Sequence, residues 1–429
     1  MKKTAGYVSG LLKTILFIGF SIQIVLGIVW MCLNITCLQT FSVSGGPLYT
    51  VLARIGDSAY PVLYLLQLAA AAGADFYFMK QWCGDRKFLN IWGMLCLLTF
   101  PFVLQCHLAV SPFSLTCSLF LLELTFTIRY IRRTEVILSD VVCACVCWAL
   151  LTLLRPEYIL LGAVPVLLML LLRLIAREKN KMGLCRSALI IAAFWGMTWG
   201  VLSLSGQERV YSRENIAFCM FSRSVWPTLW QDALVLWQNN ELPGITTEIL
   251  QQAAGQAEDL RRVVKPLVEE ALTVDEAVKF YYVKASAGWV LRREALLKQC
   301  AKDFAYYVLS PAFLPMQLEG KGGDTYSGRN YEVMLYSYPE LTGNYVYYGC
   351  WWFMTALVLT VILAAATRLA GGKETEREHL KPWMLCALSV MLLALAYTMR
   401  GAGMMDYKCT CVVILLWQSW SLALMGKEV

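Results

Sequence analysis

The stretch from Val136 to Leu174 reads VILSDVVCACVCWALLTLLRPEYILLGAVPVLLMLLLRL. Two apolar blocks are joined here by the short connection Arg155-Pro156-Glu157. Each block has close to the length of about 20 apolar residues that a helix needs to cross a bilayer. The same alternation of apolar blocks and short connections continues in both directions along the chain. The sequence therefore predicts an all-α integral membrane protein.

Ten membrane spans are predicted, near residues 14–34, 59–79, 88–106, 112–128, 136–154, 157–174, 187–204, 350–367, 382–399 and 409–425. The composition agrees, because 58% of the 429 residues are hydrophobic, 16% are charged and the mean hydropathy is +0.56. Such values exclude an ordinary soluble domain. We read the first block as a retained span, because no small-residue cleavage site follows it.

Basic residues lie mainly on alternate connections. Of the 37 Lys and Arg, 19 fall on one side, four in the short connections of the other side, and 14 in a long insert, residues 205–349. Positive charge in short loops marks the cytoplasmic side, whereas long loops translocate regardless of charge. We therefore expect a plasma-membrane protein with both termini in the cytoplasm and the insert outside. This orientation explains the net charge of +7, so membrane lipids and no nucleic acid are the expected partners.

The chain divides into a membrane module of seven spans (1–204), an extracytoplasmic helical domain with a Tyr- and Gly-rich end (205–349), and a membrane module of three spans (350–429). Within the insert, helices are predicted at 228–239, at 247–263 and from Val274 to about Leu309. Cys219 and Cys300 share this insert and could form a disulfide. The 16 cysteines include no Cys-x-x-Cys pair and the chain has two histidines, so no metal site is expected. No cofactor is evident, and a divalent cation stays an open alternative.

Three carboxylates lie inside or beside the predicted spans. Asp75 is expected to form an ion pair with Lys80, and Asp140 with the preceding Arg132 and Arg133. Glu123 lies deeper. An ionisable residue within a span is a functional candidate by default. Glu123 is therefore predicted either to make a structural hydrogen bond inside the helix bundle or to serve a polar cavity.

Charged residues also occupy the short outer connections, where the charge pattern disfavours the basic ones. They are Arg54, Asp57, Arg155, Glu157, Arg400, Asp406 and Lys408. In one interpretation, each Arg pairs with a nearby carboxylate and anchors a helix end. In the other, several of them converge beside the insert, where Arg and Lys would bind a phosphate and a carboxylate would act as a general base. The sequence leaves both interpretations open.

Two segments resemble the C-type membrane glycosyltransferases. LAVSPFSLTCSLFLLELTF (108–126) is similar to their hairpin between the third and fourth spans, and LTLLRPEYILLGAVPVLL (151–168) is similar to their Arg-Pro turn. The architecture of the first 204 residues, followed by an outer insert, is similar too. The resemblance implies an inverting enzyme that transfers a sugar from a polyprenyl-phosphate carrier to an envelope acceptor on the outer face.

The same resemblance implies roles for the outer charged residues. Asp57 is the sole carboxylate in the first outer loop (35–58) and would be the catalytic base, with Glu157 and Asp406 as alternates. The carrier phosphate would be bound by Arg155, Arg400 and Lys408. The family usually places its acidic residue just after the first span, whereas Asp57 lies late in the loop, so either Asp57 acts from a shifted position or the activity has been lost.

Other functions remain possible alternatives from the sequence. A lipid-linked polysaccharide polymerase or ligase would share the outer Arg residues and the large outer loop. A transporter or flippase should contain two related halves, and no such repeat is visible. A non-enzymatic membrane protein is the last alternative. The donor sugar, the acceptor and the oligomeric state are not encoded in any recognisable pattern.

Overall fold

The computed structural model describes residues 10–11, 13–25, 28, 46–99, 103, 107, 112–133, 135–175, 181–206, 213–225, 265–266, 268–270, 272–291, 293–309, 362 and 391. For Asp57 and Glu157 it describes the backbone only. Every regular element in these ranges is a helix, so the predicted all-α class is confirmed for them. The described residues belong to two compact units: the first contains those up to Ser205 and those from Tyr307 to Met391, and the second contains those from Gly206 to Tyr306.

The first unit contains seven α-helices in the described ranges. They are α1 (Lys13–Val25), α2 (Pro47–Cys83), α3 (Lys87–Thr99), α4 (Pro112–Arg132), α5 (Leu138–Leu154), α6 (Ile159–Ile175) and α7 (Lys181–Leu204). A single 3-10 turn, Pro156–Tyr158, joins α5 to α6. These helices lie where the first seven spans are predicted. The three spans predicted after residue 349 lie outside the described residues.

Helix α4 lies at the centre of this unit. It packs against α2, α5 and α6, while α2 also contacts α3 and α5 also contacts α7. Most side chains of α4 are buried, including Phe120, Leu121, Leu124 and Ile128, and the rest of those described are partly buried. Helix α7 is equally apolar but exposes residues such as Met182, Leu189, Met197 and Val201. A helix that is hydrophobic all round requires either a protein core or lipid as its surroundings.

Two described helical segments are long and apolar enough to cross a membrane, namely Ser114–Arg132 and Lys181–Leu204. Four shorter apolar helical segments accompany them: Lys13–Val25, Lys87–Thr99, Leu138–Leu154 and Gly162–Leu174. Segments of these lengths and compositions also occur in the cores of soluble proteins. They are therefore compatible with the predicted membrane protein, and the ten-span topology stays a prediction.

The start of α2 corrects one expectation. Residues 35–58 were predicted to be a loop, but α2 begins at Pro47 and contains Asp57. Proline at the first helical position has its backbone angle already fixed for a helix and loses no hydrogen bond there. The later Gly56 and Asp57, which suggest a turn in the sequence, continue the helix. Helix α2 ends at Cys83 before Gly84, whose φ of 60° favours glycine.

The second unit contains α8 (Arg213–Val225), α9 (Val274–Leu291) and α10 (Arg293–Leu309) as far as Tyr306. Helices α8 and α9 pack together through an aromatic cluster of Phe218, Phe221, Phe280 and Tyr281, whose ring centroids lie 5.2–6.3 Å apart. The predicted helix after Val274 is thus present as α9 and α10, whereas α8 was not predicted. The helices predicted at 228–239 and 247–263 and the Tyr- and Gly-rich end lie outside the described residues.

A capping interaction defines the beginning of α9. The amide and the hydroxyl of Thr273 both donate hydrogen bonds to Oε2 of Glu276, at 3.0 and 2.6 Å. This Thr-x-x-Glu pattern is a capping box, which satisfies backbone donors at a helix start. The two hydrogen bonds, led by that of the hydroxyl, lower the pKa of Glu276.

Cysteine chemistry in the second unit differs from one expectation. Cys219 on α8 and Cys300 on α10 are both buried, and no disulfide joins them. The disulfide considered from the sequence is therefore not formed. Buried thiols of this kind act as small apolar side chains.

Candidate functional site

Arg155 lies in the short connection between α5 and α6, which we call the Arg155 turn (residues 154–158). Its φ of −148° and ψ of 101° interrupt the helical path after Leu154. The Arg155 amide still donates to the carbonyl of Leu151 at 3.0 Å, and its own carbonyl accepts from the amide of Tyr158 at 3.0 Å. Pro156 then begins the 3-10 turn. The backbone of the turn is therefore fixed on both sides of Arg155.

The side chain of Arg155 is completely buried. A guanidinium group remains charged under all physiological conditions, and enclosing a charge costs free energy unless surrounding groups compensate for it. Tyr158 and Ile159, which follow in the turn, are buried as well. The Arg155 turn is thus a cation-containing element packed within the protein, rather than a solvent-exposed loop.

The beginning of α2 contacts the Arg155 turn directly. The amide of Gly46 donates a hydrogen bond to the carbonyl oxygen of Leu154 at 2.6 Å. A side chain at position 46 would bring its Cβ within 2.1 Å of the carbonyl oxygen of Leu153. Glycine is therefore required for this close approach. The contact places the N-terminus of α2 and the end of α5 at the same end of the unit.

The other predicted site residues are placed only in part. The backbone of Asp57 lies in α2, ten residues after Pro47, which is about 15 Å along a helix axis. Glu157 lies in the 3-10 turn immediately after Arg155 and Pro156. Arg54 of α2 is exposed. Arg400, Asp406 and Lys408 lie outside the described residues, so their predicted convergence with Arg155 stays a prediction.

Glu123 on α4 is a fully enclosed carboxyl group of the described first unit. It is completely buried, and neither of its carboxylate oxygens has a hydrogen-bond partner in the part of the chain that the structure describes. The structural hydrogen bond considered from the sequence is therefore not present among these residues. Cys145 and Cys147 of α5 lie close enough to Glu123 to interact electrostatically with its ionised carboxylate.

Trp148 and Gly162 form the immediate surroundings of Glu123. A Cβ placed on Gly162 would lie 3.4 Å from Oε2 of Glu123 and 2.5 Å from Cδ1 of Trp148. The indole nitrogen of Trp148 donates to the carbonyl of Ile159 at 3.1 Å, so it is already bonded. The carboxyl group thus lies where α4, α5 and α6 meet. Trp148 and Gly162 are each seven residues from Arg155, which corresponds to about 10 Å along a helix.

A second polar cluster lies around Asp140, at the start of α5. Nε of Arg129 donates to Asp140 at 2.9 Å, Nη2 of Arg129 also contacts it, and Nη1 of Arg133 donates at 3.1 Å. Nη1 of Arg129 further donates to the hydroxyl of Tyr77 on α2 at 2.5 Å. The predicted ion pair of Asp140 is confirmed for Arg133. The expected Arg132 instead lies over the ring of Trp82, at 4.8 Å.

Arg173 of α6 completes this end of the unit. Its Nη2 donates to the backbone carbonyls of Tyr130 at 2.7 Å, of Glu135 at 3.4 Å and of Arg133. These carbonyls lie at the end of α4 and in the following connection, where helices leave acceptors unsatisfied. Arg173 therefore caps α4 from another helix.

The predicted ion pair between Asp75 and Lys80 is wrong. Asp75 is buried and Lys80 is exposed on the same helix. Five residues turn an α-helix by about 500°, so the two side chains point about 140° apart. Oδ2 of Asp75 has no hydrogen-bond partner within the described ranges. Asp75 and Glu123 are thus two buried carboxyl groups in the helices of the first unit.

Sequence reasoning missed several of these relationships. The sequence contains no signal that links Arg173 to carbonyls about 40 residues earlier, or Gly46 to Leu154. The sequence also did not indicate that Gly162 and Trp148 lie beside Glu123, because a single glycine in an apolar run is common in membrane spans. A buried carboxyl at position 123 was recognisable, since acidic residues rarely occur in such runs.

Comparisons with known proteins add no relative: protein-family models, curated proteins and solved structures all give no match to this chain. Among the described residues, no group of three or more His, Cys, Asp or Glu side chains is arranged to hold a metal ion. The resemblance to C-type glycosyltransferases therefore stays a prediction from the sequence.

Proposed function

We propose that this chain is a ten-span membrane glycosyltransferase that transfers a sugar from a polyprenyl-phosphate carrier to an envelope acceptor on the outer face. The observation that carries the proposal is the enclosed guanidinium group of Arg155, held in a turn with a fixed backbone. Arginine offers paired N–H donors that match the oxygens of a phosphate. The lipid-linked sugar donor and the envelope acceptor are the partners; no cofactor is evident, and a divalent cation stays an open alternative.

The direction of the helices supports the membrane orientation in this proposal. The contacts of Arg129 with Tyr77 and Asp140, and of Arg173 with the carbonyl of Tyr130, bring the ends of α2, α4 and α6 and the start of α5 to one end of the unit. The hydrogen bond between Gly46 and Leu154 lies at the other end of the unit, where α2 starts and α5 ends. The basic residues are concentrated at the first end, as expected for the cytoplasmic side. The Arg155 turn then faces the outer side.

The position of Asp57 is compatible with a base at the outer boundary. Twenty residues separate it from Tyr77, which binds Arg129 at the proposed cytoplasmic end. Over a straight helix this is about 30 Å, equal to the thickness of the hydrocarbon core. Asp57 would therefore lie near the opposite membrane–water boundary, where the hydroxyl group of an acceptor can approach it from the aqueous phase. Glu157, next to Arg155, and Asp406 are the alternates.

In the proposed reaction, the base removes the proton of the acceptor hydroxyl while that oxygen attacks the anomeric carbon. The bond to the carrier phosphate breaks on the opposite side, and the electron pair leaves with the phosphate. Arg155, Arg400 and Lys408 would stabilise its charge. Because Arg155 is enclosed, the carrier phosphate reaches it only when the covering side chains move, and the bound pair is then shielded from water.

Carrier binding to purified protein in nanodiscs tests the role of Arg155. Arg155→Ala should weaken polyprenyl-phosphate binding by about 1.5–3 kcal/mol, the usual contribution of a charge-assisted hydrogen bond. Arg155→Lys keeps the charge without the paired donors and should be intermediate. Arg54→Ala, which removes an exposed arginine of the same predicted face, is the matched control and should bind normally. Unchanged binding by Arg155→Ala would exclude Arg155 as a phosphate ligand.

Sugar transfer tests the base. Asp57→Asn removes the proton acceptor at constant size and should lower transfer by roughly 10²–10⁴-fold while carrier binding persists. Glu157→Gln and Asp406→Asn, measured in parallel, distinguish the three candidates. If all three variants keep the full transfer rate, none of these carboxylates is the base.

A further inference from the structure

The sugar-transfer proposal assigns no role to Glu123, although its environment is unusual. The side chain is completely enclosed, and its two oxygens have no hydrogen-bond partner within the described part of the chain. An isolated ionised carboxylate in such surroundings would cost several kcal/mol, whereas a neutral carboxylic acid costs far less. The neutral form is therefore the one that fits this packing, which means that the group holds a proton.

A metal cation does not fit the same position. Na⁺, Ca²⁺ and Mg²⁺ need several oxygen ligands around them. The described groups near the Glu123 carboxyl include the indole ring of Trp148, whose N–H is bonded to Ile159, and the main chain at Gly162. Cys145 and Cys147 also lie nearby, but no described group of three or more His, Cys, Asp or Glu side chains is arranged to hold a metal ion. A proton needs one oxygen only. The proton is thus the ligand that the surroundings of Glu123 allow.

Helix α6 contains a glycine and a proline beside this carboxyl group. Gly162 lies against Glu123, and Pro165 follows three residues later inside the helix. Proline has no amide hydrogen to donate to the carbonyl four residues earlier, and this position is where helices bend. Gly162 adds backbone freedom at the same turn. A bend of α6 between Gly162 and Pro165 would displace the part of α6 that shields the Glu123 carboxyl group from water.

We propose that Glu123 is a proton-binding site, loaded while α4, α5 and α6 are closed around it and exchanging its proton with water when α6 bends at Gly162 and Pro165. An intramembrane carboxyl of this kind serves proton transfer in other settings. The inference does not depend on sugar transfer, because none of the residues that it uses belongs to the proposed transferase site.

Several titratable or charged groups lie on the helices packed against Glu123. On α5 and α2 they include Cys145 and Cys147, and Asp75 and Tyr77. At the two ends of the unit they include Arg155, Arg173 of α6 and the paired Arg129 and Asp140. Helix α6 contributes none from Gly162 through Leu172. Among the described carboxyl groups, Asp75 could be mistaken for Glu123, since it is buried without an ion pair, whereas the buried Asp140 is paired with Arg129 and Arg133.

Infrared spectroscopy of the full chain in nanodiscs tests the inference, because a protonated carboxyl group has its own carbonyl band, which shifts when the proton is replaced by deuterium. Asp75→Asn removes the second buried carboxyl. In this variant the band should be present at neutral pH, and adding Glu123→Gln should abolish it. Absence of the band in Asp75→Asn at neutral pH would overturn the proposal, because Glu123 would then be ionised.

Exchange into deuterated water tests the hinge in the same background. Pro165→Ala restores a helical hydrogen bond and should slow the deuterium shift of the Glu123 band. Gly196→Ala on α7, where a Cβ meets no atom within 4 Å, is the matched control and should leave the rate unchanged. An equal exchange rate in Pro165→Ala and the control would overturn the role of the hinge. Arg155→Ala should leave the carbonyl band of Glu123 in place. Failure of the transferase proposal can therefore be distinguished from failure of this one.

Discussion

The amide of Gly46 is bonded to the carbonyl oxygen of Leu154 at a distance of 2.6 Å. This hydrogen bond joins the start of α2 to the end of α5 over more than 100 residues of sequence. It also satisfies one of the carbonyls that the C-terminus of α5 would otherwise leave without a helical donor. The contact fixes the backbone immediately before Arg155, and thereby the direction in which that side chain leaves the helix.

Gly46→Ala should therefore destabilise the first unit. Its Cβ would lie 2.1 Å from the carbonyl oxygen of Leu153, so α2 must move away. Overpacking of this kind typically costs about 1–3 kcal/mol. Gly73→Ala in the interior of α2 meets no atom within 4 Å and should be neutral or slightly stabilising. Thermal unfolding in detergent compares the two, and equal melting temperatures would refute the close contact.

Asp140→Asn should destabilise the opposite end of the unit. The change removes the charge that binds Arg129 and Arg133 while keeping the size of the side chain. Breaking a buried pair costs about 3–5 kcal/mol, and the partial exposure of both arginines reduces the expected loss to about 1–3 kcal/mol. Glu294→Gln disrupts an exposed pair with Lys298 on α10 and should change stability by less than about 1 kcal/mol. Denaturant unfolding measures both, and similar losses would contradict the difference in burial.

The proposed orientation makes a prediction for Cys185, which is exposed near the start of α7. A membrane-impermeant thiol reagent should leave it unlabelled in intact cells and label it in inverted vesicles, because the connection before α7 is assigned to the cytoplasm. The buried Cys219 and Cys300 are poor reporters for the insert. Lys298→Cys, at an exposed position on α10, should show the reverse pattern. Labelling of Cys185 from outside intact cells would contradict the ten-span topology.

Acid should loosen the beginning of α9. The pKa of Glu276 is lowered by the hydrogen bonds from Thr273, so the ionised carboxylate stabilises the folded form. This contribution is fully present above the ordinary glutamate pKa of 4.5 and is lost as the pH falls through the lower folded value. Hydrogen exchange of the first amides of α9 should therefore rise on acidification beyond the intrinsic effect of pH. Glu276→Gln does not titrate and should lack the rise; an identical rise would exclude Glu276 as its source.

The sequence predicted the positions of α2 to α7 well because apolar runs and the charges between them are local properties. It also predicted that Asp140 is paired, since basic residues surround it at short separation. It failed at the start of α2, where Pro47 and the contact with α5 outweigh the turn tendency of Gly56 and Asp57. The difference is physical, because a hydropathy pattern carries no information about which distant backbone a helix end meets.

The sequence indicated which residues of the candidate site are unusual, but it did not predict which neighbours surround them. Rare carboxyl groups in apolar runs marked Glu123 and Asp75, because burying such groups is costly enough to keep them uncommon. Their partners could not be derived, as the wrong assignment of Lys80 to Asp75 demonstrates. Whether a carboxyl in a helix bundle is paired depends on which faces of neighbouring helices meet it, and this is decided by packing.

The bonds of Arg173 also constrain how the protein is made. Its guanidinium group closes the end of α4 and the connection to α5, yet it is encoded 43 residues after Tyr130. Chains emerge from the ribosome N-terminus first, so α4 and α5 leave it before their connection can be completed. The end of α4 and its connection to α5 therefore lack the Arg173 donor until α6 has been synthesised. Their final hydrogen bonding is completed only when α6 packs against them.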